Sequence, residues 1–228
     1  MIRNVTILKA MGVQPKTVIH VGSHHAQDQL EYERIGAKEI FWCEADPACV
    51  SIIKERYPNS RVIEGLFWSE VGMSLDFWVM QDRAQNSVFQ PRMKEAALGR
   101  IKLTTTTLDV EFANTDLIKP IMLVLDVQGA EIEVLKGASN LISKVEFLVC
   151  EITDVSSKSF FSISQKSVES YLRNFGLVPI LKRLSYNKEY FDLLFVRRKL
   201  FSRIKIRILD FTYQTLKYAK SLLVNSRV

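Results

Sequence analysis

All three histidines of the chain, His20, His24 and His25, fall within one short stretch, Thr17-Val18-Ile19-His20-Val21-Gly22-Ser23-His24-His25-Ala26-Gln27-Asp28. Imidazole changes charge near neutral pH, so such a cluster can move protons or contact polar ligand groups. Carboxylates recur at the ends of three other apolar runs, at Glu44, Asp126 and Glu151. A carboxylate or imidazole beside a reacting hydroxyl can take its proton as the oxygen attacks. Asp126 is the first candidate for that base or for a substrate anchor, the alternative being that it caps the helix behind it. His24 and His25 are candidate catalytic contacts to an acceptor or cofactor, or else walls of the same crevice.

These groups must be positioned by a buried strand, a tight turn and a helix start, the place where open α/β sheets bind ligands. Thr17 to Val21 reads as the strand, Gly22 opens the turn, and Gln27 to Ile35 reads as a helix stopped by Gly36. Glu39 to Glu44, a helix from Asp46-Pro47 to Tyr57, and Arg61 to Gly65 complete β-α-β-α-β at short spacing, which predicts a parallel sheet. Pro120 to Asp126 is the most apolar run and reads as a central strand, followed by a helix with Ile132, Leu135 and Ala138 on one face. Val145 to Glu151, a helix Ser167 to Phe175, and an antiparallel pair, Leu177–Leu184 and Glu189–Val196, close the sheet. Ser74–Met80 and Arg100–Thr106 alternate like strands around a long polar loop, Gln81 to Gly99, where Asn86 and Ser87 are placed to cover a substrate. A short helix is expected over Ile2–Met11.

The turn also excludes ligands. A dinucleotide site needs G-x-G-x-x-G, so that backbone can approach a pyrophosphate. Gly22-Ser23-His24-His25-Ala26-Gln27 keeps only the first glycine, and no P-loop is present. NAD and ATP are therefore disfavoured. Glu44 stands 22 residues past Gly22, the spacing at which a carboxylate accepts ribose hydroxyls. A ligand with a ribose, an adenine and a positive centre but no phosphate suits these acids, and S-adenosylmethionine (SAM) has that chemistry. The cofactor-binding candidates are His20, Gly22, Ser23, Glu44, Ala45, Phe67, Trp68 and Asp126. Phe67 and Trp68 could stack on the adenine or simply pack in the core. Asn86, Ser87, Gln128 and Glu131 are the substrate candidates.

No metal is predicted. The turn breaks the helical spacing that His20, His24 and His25 would need, and Mg²⁺ at Asp126 with Glu151 or Asp154 is the other, also disfavoured, reading. Cys43, Cys49 and Cys150 contain no CxxC and read as buried reduced thiols.

The formal net charge of +6 is uneven. Arg197 to Val228 carries nine Lys/Arg against one acid, leaving the preceding 196 residues with 22 bases and 24 acids. A nucleic-acid face on the main domain is thus not expected. Residues 1–198 read as one domain and 199–228 as a basic amphipathic helix, with Phe201, Ile204, Ile208, Phe211, Tyr218 and Leu222 at three- and four-residue steps. Such a helix can lie on an anionic membrane or pack on its own domain or a second copy. With no secretory leader in Met1-Ile2-Arg3-Asn4-Val5-Thr6, the expected location is cytoplasmic, at the membrane's cytoplasmic face if the tail binds lipid.

From about Lys16 to Val196 the chain resembles the FkbM family of class I SAM-dependent methyltransferases. The resemblance is carried by Val21-Gly22-Ser23-His24-His25-Ala26-Gln27, Trp42-Cys43-Glu44-Ala45-Asp46-Pro47 and Phe67-Trp68-Ser69-Glu70-Val71-Gly72, then by Thr107-Leu108-Asp109, Leu125 to Glu131, Val134-Leu135-Lys136-Gly137-Ala138 and Val149-Cys150-Glu151. It implies a three-layer Rossmann-like fold, a mostly parallel seven-stranded sheet with an antiparallel last strand. It also implies O-methylation of hydroxyls on sugars, glycans or glycosylated small molecules. The family usually has Asp at His20, Ala-Asn at Ser23-His24, Lys at Leu125 and Glu at Gln128. Those departures keep a second reading open, a degenerate domain that binds SAM or only a partner. An NAD-dependent oxidoreductase is the third, set back by the missing glycines.

Overall fold

The computed structural model describes residues 8–9, 11–91, 94–153, 164–184 and 190–202. Most of the helix expected over Ile2–Met11, the turn at Ser185–Lys188, Asp154 and nearly all of the basic tail lie outside them.

β1 (Thr17–Val21) is buried at every position, as its β-branched run requires of a strand covered on both faces. It pairs in parallel with β2 (Glu39–Glu44) on one side and β7 (Ile121–Leu125) on the other. β3 (Arg61–Glu64) extends the sheet beyond β2, and β8 (Phe147–Thr153) extends it beyond β7. β10 (Tyr190–Arg197) runs antiparallel to β8 and to β9 (Leu177–Leu184), giving seven strands in the order β3-β2-β1-β7-β8-β10-β9. This is the expected sheet, parallel but for its last strand. The chain winds outward from β1 to one edge, then returns to β7, so the order reverses between the C-terminal ends of β1 and β7. A crevice opens at such a switch point.

Helices α1 (Gln29–Ile35), α2 (Pro47–Arg56), α3 (Leu108–Glu111), α4 (Glu131–Lys136), α5 (Ser139–Lys144) and α6 (Gln165–Asn174) flank the sheet. Gly36 closes α1 at φ 107°. Asp46 accepts from the Ala48 N–H and Pro47 takes the first helical position of α2, as the sequence predicts. One expected helix is instead two, because the chain breaks at Gly137: a Cβ there would lie 2.0 Å from the Trp68 carbonyl oxygen.

Two hydrophobic clusters sandwich the sheet. Ile19, Val21, Leu123 and Leu125 belong to one, and Val18, Trp42, Met122 and Val124 to the other, as strand alternation demands. A second sheet was not anticipated. β4 (Leu66–Phe67) and β5 (Ser74–Met80) flank β6 (Ala97–Thr106) in a three-stranded unit. β6 starts three residues earlier than its alternation suggests, so the loop behind β5 is shorter than expected. That loop is also structured, with 3₁₀ turns at Arg83–Gln85 and Lys94–Ala96 and a bridge from Trp78 to Ser87. Among the described residues no helix is long and apolar enough to cross a membrane.

Candidate active site

Gly22 leaves β1 at φ 77° and donates its N–H to the Cys43 carbonyl at 2.9 Å. Asp126 leaves β7 with its N–H on the Val21 carbonyl at 3.0 Å. The two turns are so close that a Cβ on Gly22 would sit 1.9 Å from the Asp126 carbonyl oxygen. Beside them an open cleft of about 530 Å³ is lined by residues that include Gly22, His24, Glu44, Ala45, Phe67, Asn86, Asp126 and Gln128.

Glu44 ends β2 almost fully buried. Its carboxylate accepts from the backbone N–H groups of His24 (2.7 Å), Ala45 (2.9 Å) and Asp46 (2.9 Å), so it ties the β1 turn to the start of α2. Burial pushes this carboxyl up to about 7, against the pull of those three N–H groups. On the opposite wall, the Gln128 amide donates to Asp126 (2.8 Å) and to Glu151 (2.9 Å). Burial, and then the Asp126 charge, push the Glu151 carboxyl up. Asp126 is raised by burial too, while its hydrogen bond with Glu151 holds it down. Burial raises both carboxyls of this coupled pair, so two full charges side by side are disfavoured, and Asp126 is the member that lines the cleft. Gln128 sits at φ 49°, a costly left-handed conformation for a residue with a side chain. Its carbonyl accepts the Ser87 hydroxyl at 2.9 Å.

The loop behind β5 thereby docks on the cleft. Asn86 and Arg83 both donate to the Asp46 carboxylate, and Asn86 also accepts the Met80 N–H at 2.8 Å. Asn86 lines the cleft, whereas Ser87 is buried in the latch to Gln128.

Other candidates stand elsewhere. His20 points to the face opposite Ile19 and Val21, where its Nδ1 meets the Tyr32 hydroxyl at 2.9 Å and its ring packs on Trp42. Burial lowers it to about 4, so it is a neutral core residue. Ser23 is buried, and neither it nor His25 lines the cleft. The His24 and His25 rings stack at 3.7 Å, and burial lowers both pKa values. Of the aromatic pair, Phe67 lines the cleft and Trp68 does not.

Glu131 is 2% exposed and accepts the Val127 (3.2 Å) and Gly129 (3.1 Å) N–H groups, closing the turn behind Asp126. Sequence reading joins Glu151 to Asp126 only as a disfavoured metal pair and misses both their shared bond to Gln128 and Arg83, which the β5 loop delivers. The thiols are buried, as expected, and unbridged.

Glu131 yields a test of these electrostatics. Burial raises its carboxyl to about 7, from 4.5 in the open chain. The unfolded chain therefore releases this proton first as pH rises, so folding loses stability between about 4.5 and 7. The histidines act oppositely over part of that range, and comparison with a Glu131→Gln variant cancels them. Wild type should lose roughly 2–3 kcal/mol relative to that variant between pH 4.5 and pH 8, since each tenfold change in proton affinity is worth about 1.4 kcal/mol. Urea midpoints at both pH values measure it. A relative gain on raising pH would show that the N–H bonds outweigh burial.

The residues of the cleft fit SAM. The Gly22 cradle would be filled by any Cβ, and the lining carries the Glu44 and Asp126 carboxylates, its Arg83 being paired with Asp46. Those acids suit a positive ligand without phosphate.

In sequence, the Methyltransferase FkbM domain matches residues 20–179. No curated protein matches the chain. Among solved structures, a SAM dependent methyltransferase from Aquifex aeolicus is 13% identical with a TM-score of 0.48, covering 86% of this chain and 89% of that one. Magnesium protoporphyrin IX methyltransferase from Synechocystis PCC 6803 with bound SAM is 14% identical with a TM-score of 0.47, covering 85% and 76%. Ribosomal protein L11 methylase from Lactobacillus delbrueckii subsp. bulgaricus is 14% identical, also at 0.47, covering 84% and 76%.

Proposed function

The chain belongs to the FkbM methyltransferase family, a SAM-dependent one, and on that premise we propose that it methylates a hydroxyl of a sugar, a glycan or a glycosylated small molecule. The observation that carries this reading is the Asp126–Gln128–Glu151 cluster at the cleft, a base for a neutral hydroxyl held beside Gly22 and Glu44. Gly22, Glu44, Phe67 and Asp126 are the residues that would hold SAM. When bound, SAM supplies a methyl group on a sulfonium centre.

The protein's own part is orientation and proton transfer. Asp126 takes the proton of the acceptor hydroxyl as its oxygen becomes nucleophilic. Gln128 fixes the direction of the Asp126 lone pairs by donating to Asp126 and Glu151 together, and burial disfavours two full charges on that pair. The latch from Ser87 to Gln128 keeps the β5 loop over the cleft and helps exclude water. A neutral acceptor suits this acidic wall, since an anionic one would meet Asp126 and Glu44.

The screen that tests this presents radiolabelled SAM with a panel of free sugars, oligosaccharides and glycosylated small molecules, and locates the product methyl by NMR. A methyl ether is the expected product. Methylation at nitrogen or carbon, or no transfer to any hydroxyl acceptor, would contradict the reading.

A second reading, a domain that binds SAM without transferring the methyl, is favoured by one observation. The Gln128 amide occupies a lone pair of Asp126 that the family's usual Glu could not.

Glu44 bears on both readings. Glu44→Ala removes an acceptor shared by three N–H groups as well as the ribose partner, and SAM affinity should fall about 10- to 100-fold, one or two charged hydrogen bonds. Calorimetric titration reads it. Unchanged affinity would remove Glu44 from the site.

A further inference from the structure

We propose that His24, His25 and Cys49 form a binding site for a borderline-soft divalent cation of the Zn²⁺ type, at the edge of the cleft. Their ligand atoms lie within 4.8 Å of one another, and no other such His/Cys/Asp/Glu group occurs among the described residues. The site joins two segments, the turn after β1 and the first turn of α2. Glu44 already clamps these together through its bonds to the His24, Ala45 and Asp46 N–H groups.

Each ligand is prepared in a different way. His25 Nε2 is buried and has no hydrogen-bond partner, a state that costs free energy unless something occupies it. His24 is held through Nδ1 by the Gln27 amide at 2.7 Å, which leaves Nε2 as its free nitrogen, the outer-shell bond that ligating imidazoles usually make. Cys49 Sγ is buried and donates to Asp46 Oδ2 at 3.6 Å. His24 and Ala26 bracket His25 at φ 50° and 54°, left-handed values that hold the two imidazoles side by side.

Two imidazoles and one thiolate form a nitrogen–sulfur set that selects Zn²⁺ over Mg²⁺ or Ca²⁺. Tetrahedral zinc would place such ligands roughly 3.3–3.7 Å apart, so side-chain movements of about 1 Å complete the site. Sγ exchanges its proton for the ion. Three protein ligands leave a fourth position open, the pattern of reactive rather than structural zinc. Arg56 and Arg83 face His25, Asp46 and Asp82 face His24, and burial with the Glu44 and Asp46 charges keeps the Cys49 thiol protonated until the ion displaces that proton.

Cobalt is the probe, because a cobalt–thiolate bond absorbs in the near ultraviolet. Titration of the full, reduced chain with Co²⁺ should give a saturable band at one equivalent, displaced by Zn²⁺ and not by Mg²⁺. Cys49→Ser should lose the band, and Cys150→Ser, whose thiol lies elsewhere in the core, should keep it. His25→Ala, at a partly exposed position, should bind at least tenfold more weakly and decides the matter even if Cys49→Ser fails to fold. No band in the wild type, a band retained in Cys49→Ser, or unchanged affinity in His25→Ala would each overturn the site.

Discussion

Gly22→Ala should abolish SAM binding and cost about 3 kcal/mol or more of stability. The residue sits at φ 77°, where a side chain alone costs roughly 1–2 kcal/mol. The larger cost is steric. The new Cβ would lie 1.9 Å from the Asp126 carbonyl oxygen and 2.7 Å from its carbon. Those are backbone atoms at the end of a central strand, pinned by the Asp126 N–H to Val21 bond, so neither side can yield without parting β1 from β7. That separation moves Gly22 and Asp126, on which the cleft is built.

Two other glycines calibrate the effect. Gly176 has φ 71° with nothing within 4 Å of its Cβ position, so Gly176→Ala should cost only about 1 kcal/mol. Gly137→Ala meets the Trp68 carbonyl oxygen at 2.0 Å, away from the cleft lining; it should destabilise strongly while the surviving folded protein still binds. Urea midpoints and calorimetric titrations of the three variants separate these outcomes. A Gly22→Ala protein that binds SAM normally, or loses no more stability than Gly176→Ala, would contradict the geometry.

Asp126→Asn carries the second large effect. On whichever hydroxyl acceptor the screen identifies, kcat should drop about 10²- to 10⁴-fold, the usual worth of a general base. Asparagine keeps the size of the side chain and one acceptor for Gln128 but cannot take a proton. Glu151→Leu should act differently, because Glu151 touches the base and not the acceptor, and leucine can make no hydrogen bond to Asp126. Loss of its hydrogen bond removes an influence that lowers Asp126. Asp126 then ionises at higher pH, so the acidic limb of the rate profile should move upward. An unmoved limb would make Glu151 merely structural, and full activity in Asp126→Asn would place the base elsewhere.

Much of this arrangement is legible in the chain because it follows from strand ends. β1, β2 and β7 are short apolar runs closed by Gly22, Glu44 and Asp126, and a parallel sheet brings equivalent ends together whatever the details of packing. Glycine punctuation places α1, and Asp46-Pro47 places α2. What stays hidden depends on side-chain direction and on long-range approach. His20 lies one residue before Val21, yet alternation turns it into the opposite core layer, against Tyr32 and Trp42. Glu151 meets Asp126 only through the β7–β8 register.

Cys49 lies far from His24 and His25 in sequence and joins them only because α2 starts over the β1 turn. The stretch from Gln81 reads as a bare polar loop, because its 3₁₀ turns and the latches from Arg83, Asn86 and Ser87 leave no periodic signal. Trp68 shows the remaining ambiguity. Neighbouring aromatics look alike in sequence, but only Phe67 faces the cleft.

The crevice between β1 and β7 is, on this reading, built for a phosphate-free, positively charged nucleoside ligand. Calorimetric titration of the full chain with SAM, S-adenosylhomocysteine and NAD decides whether it is. One saturable site is expected for SAM and for S-adenosylhomocysteine, with no heat of binding for NAD. Binding of NAD, or no binding of SAM to folded wild-type protein, would contradict it.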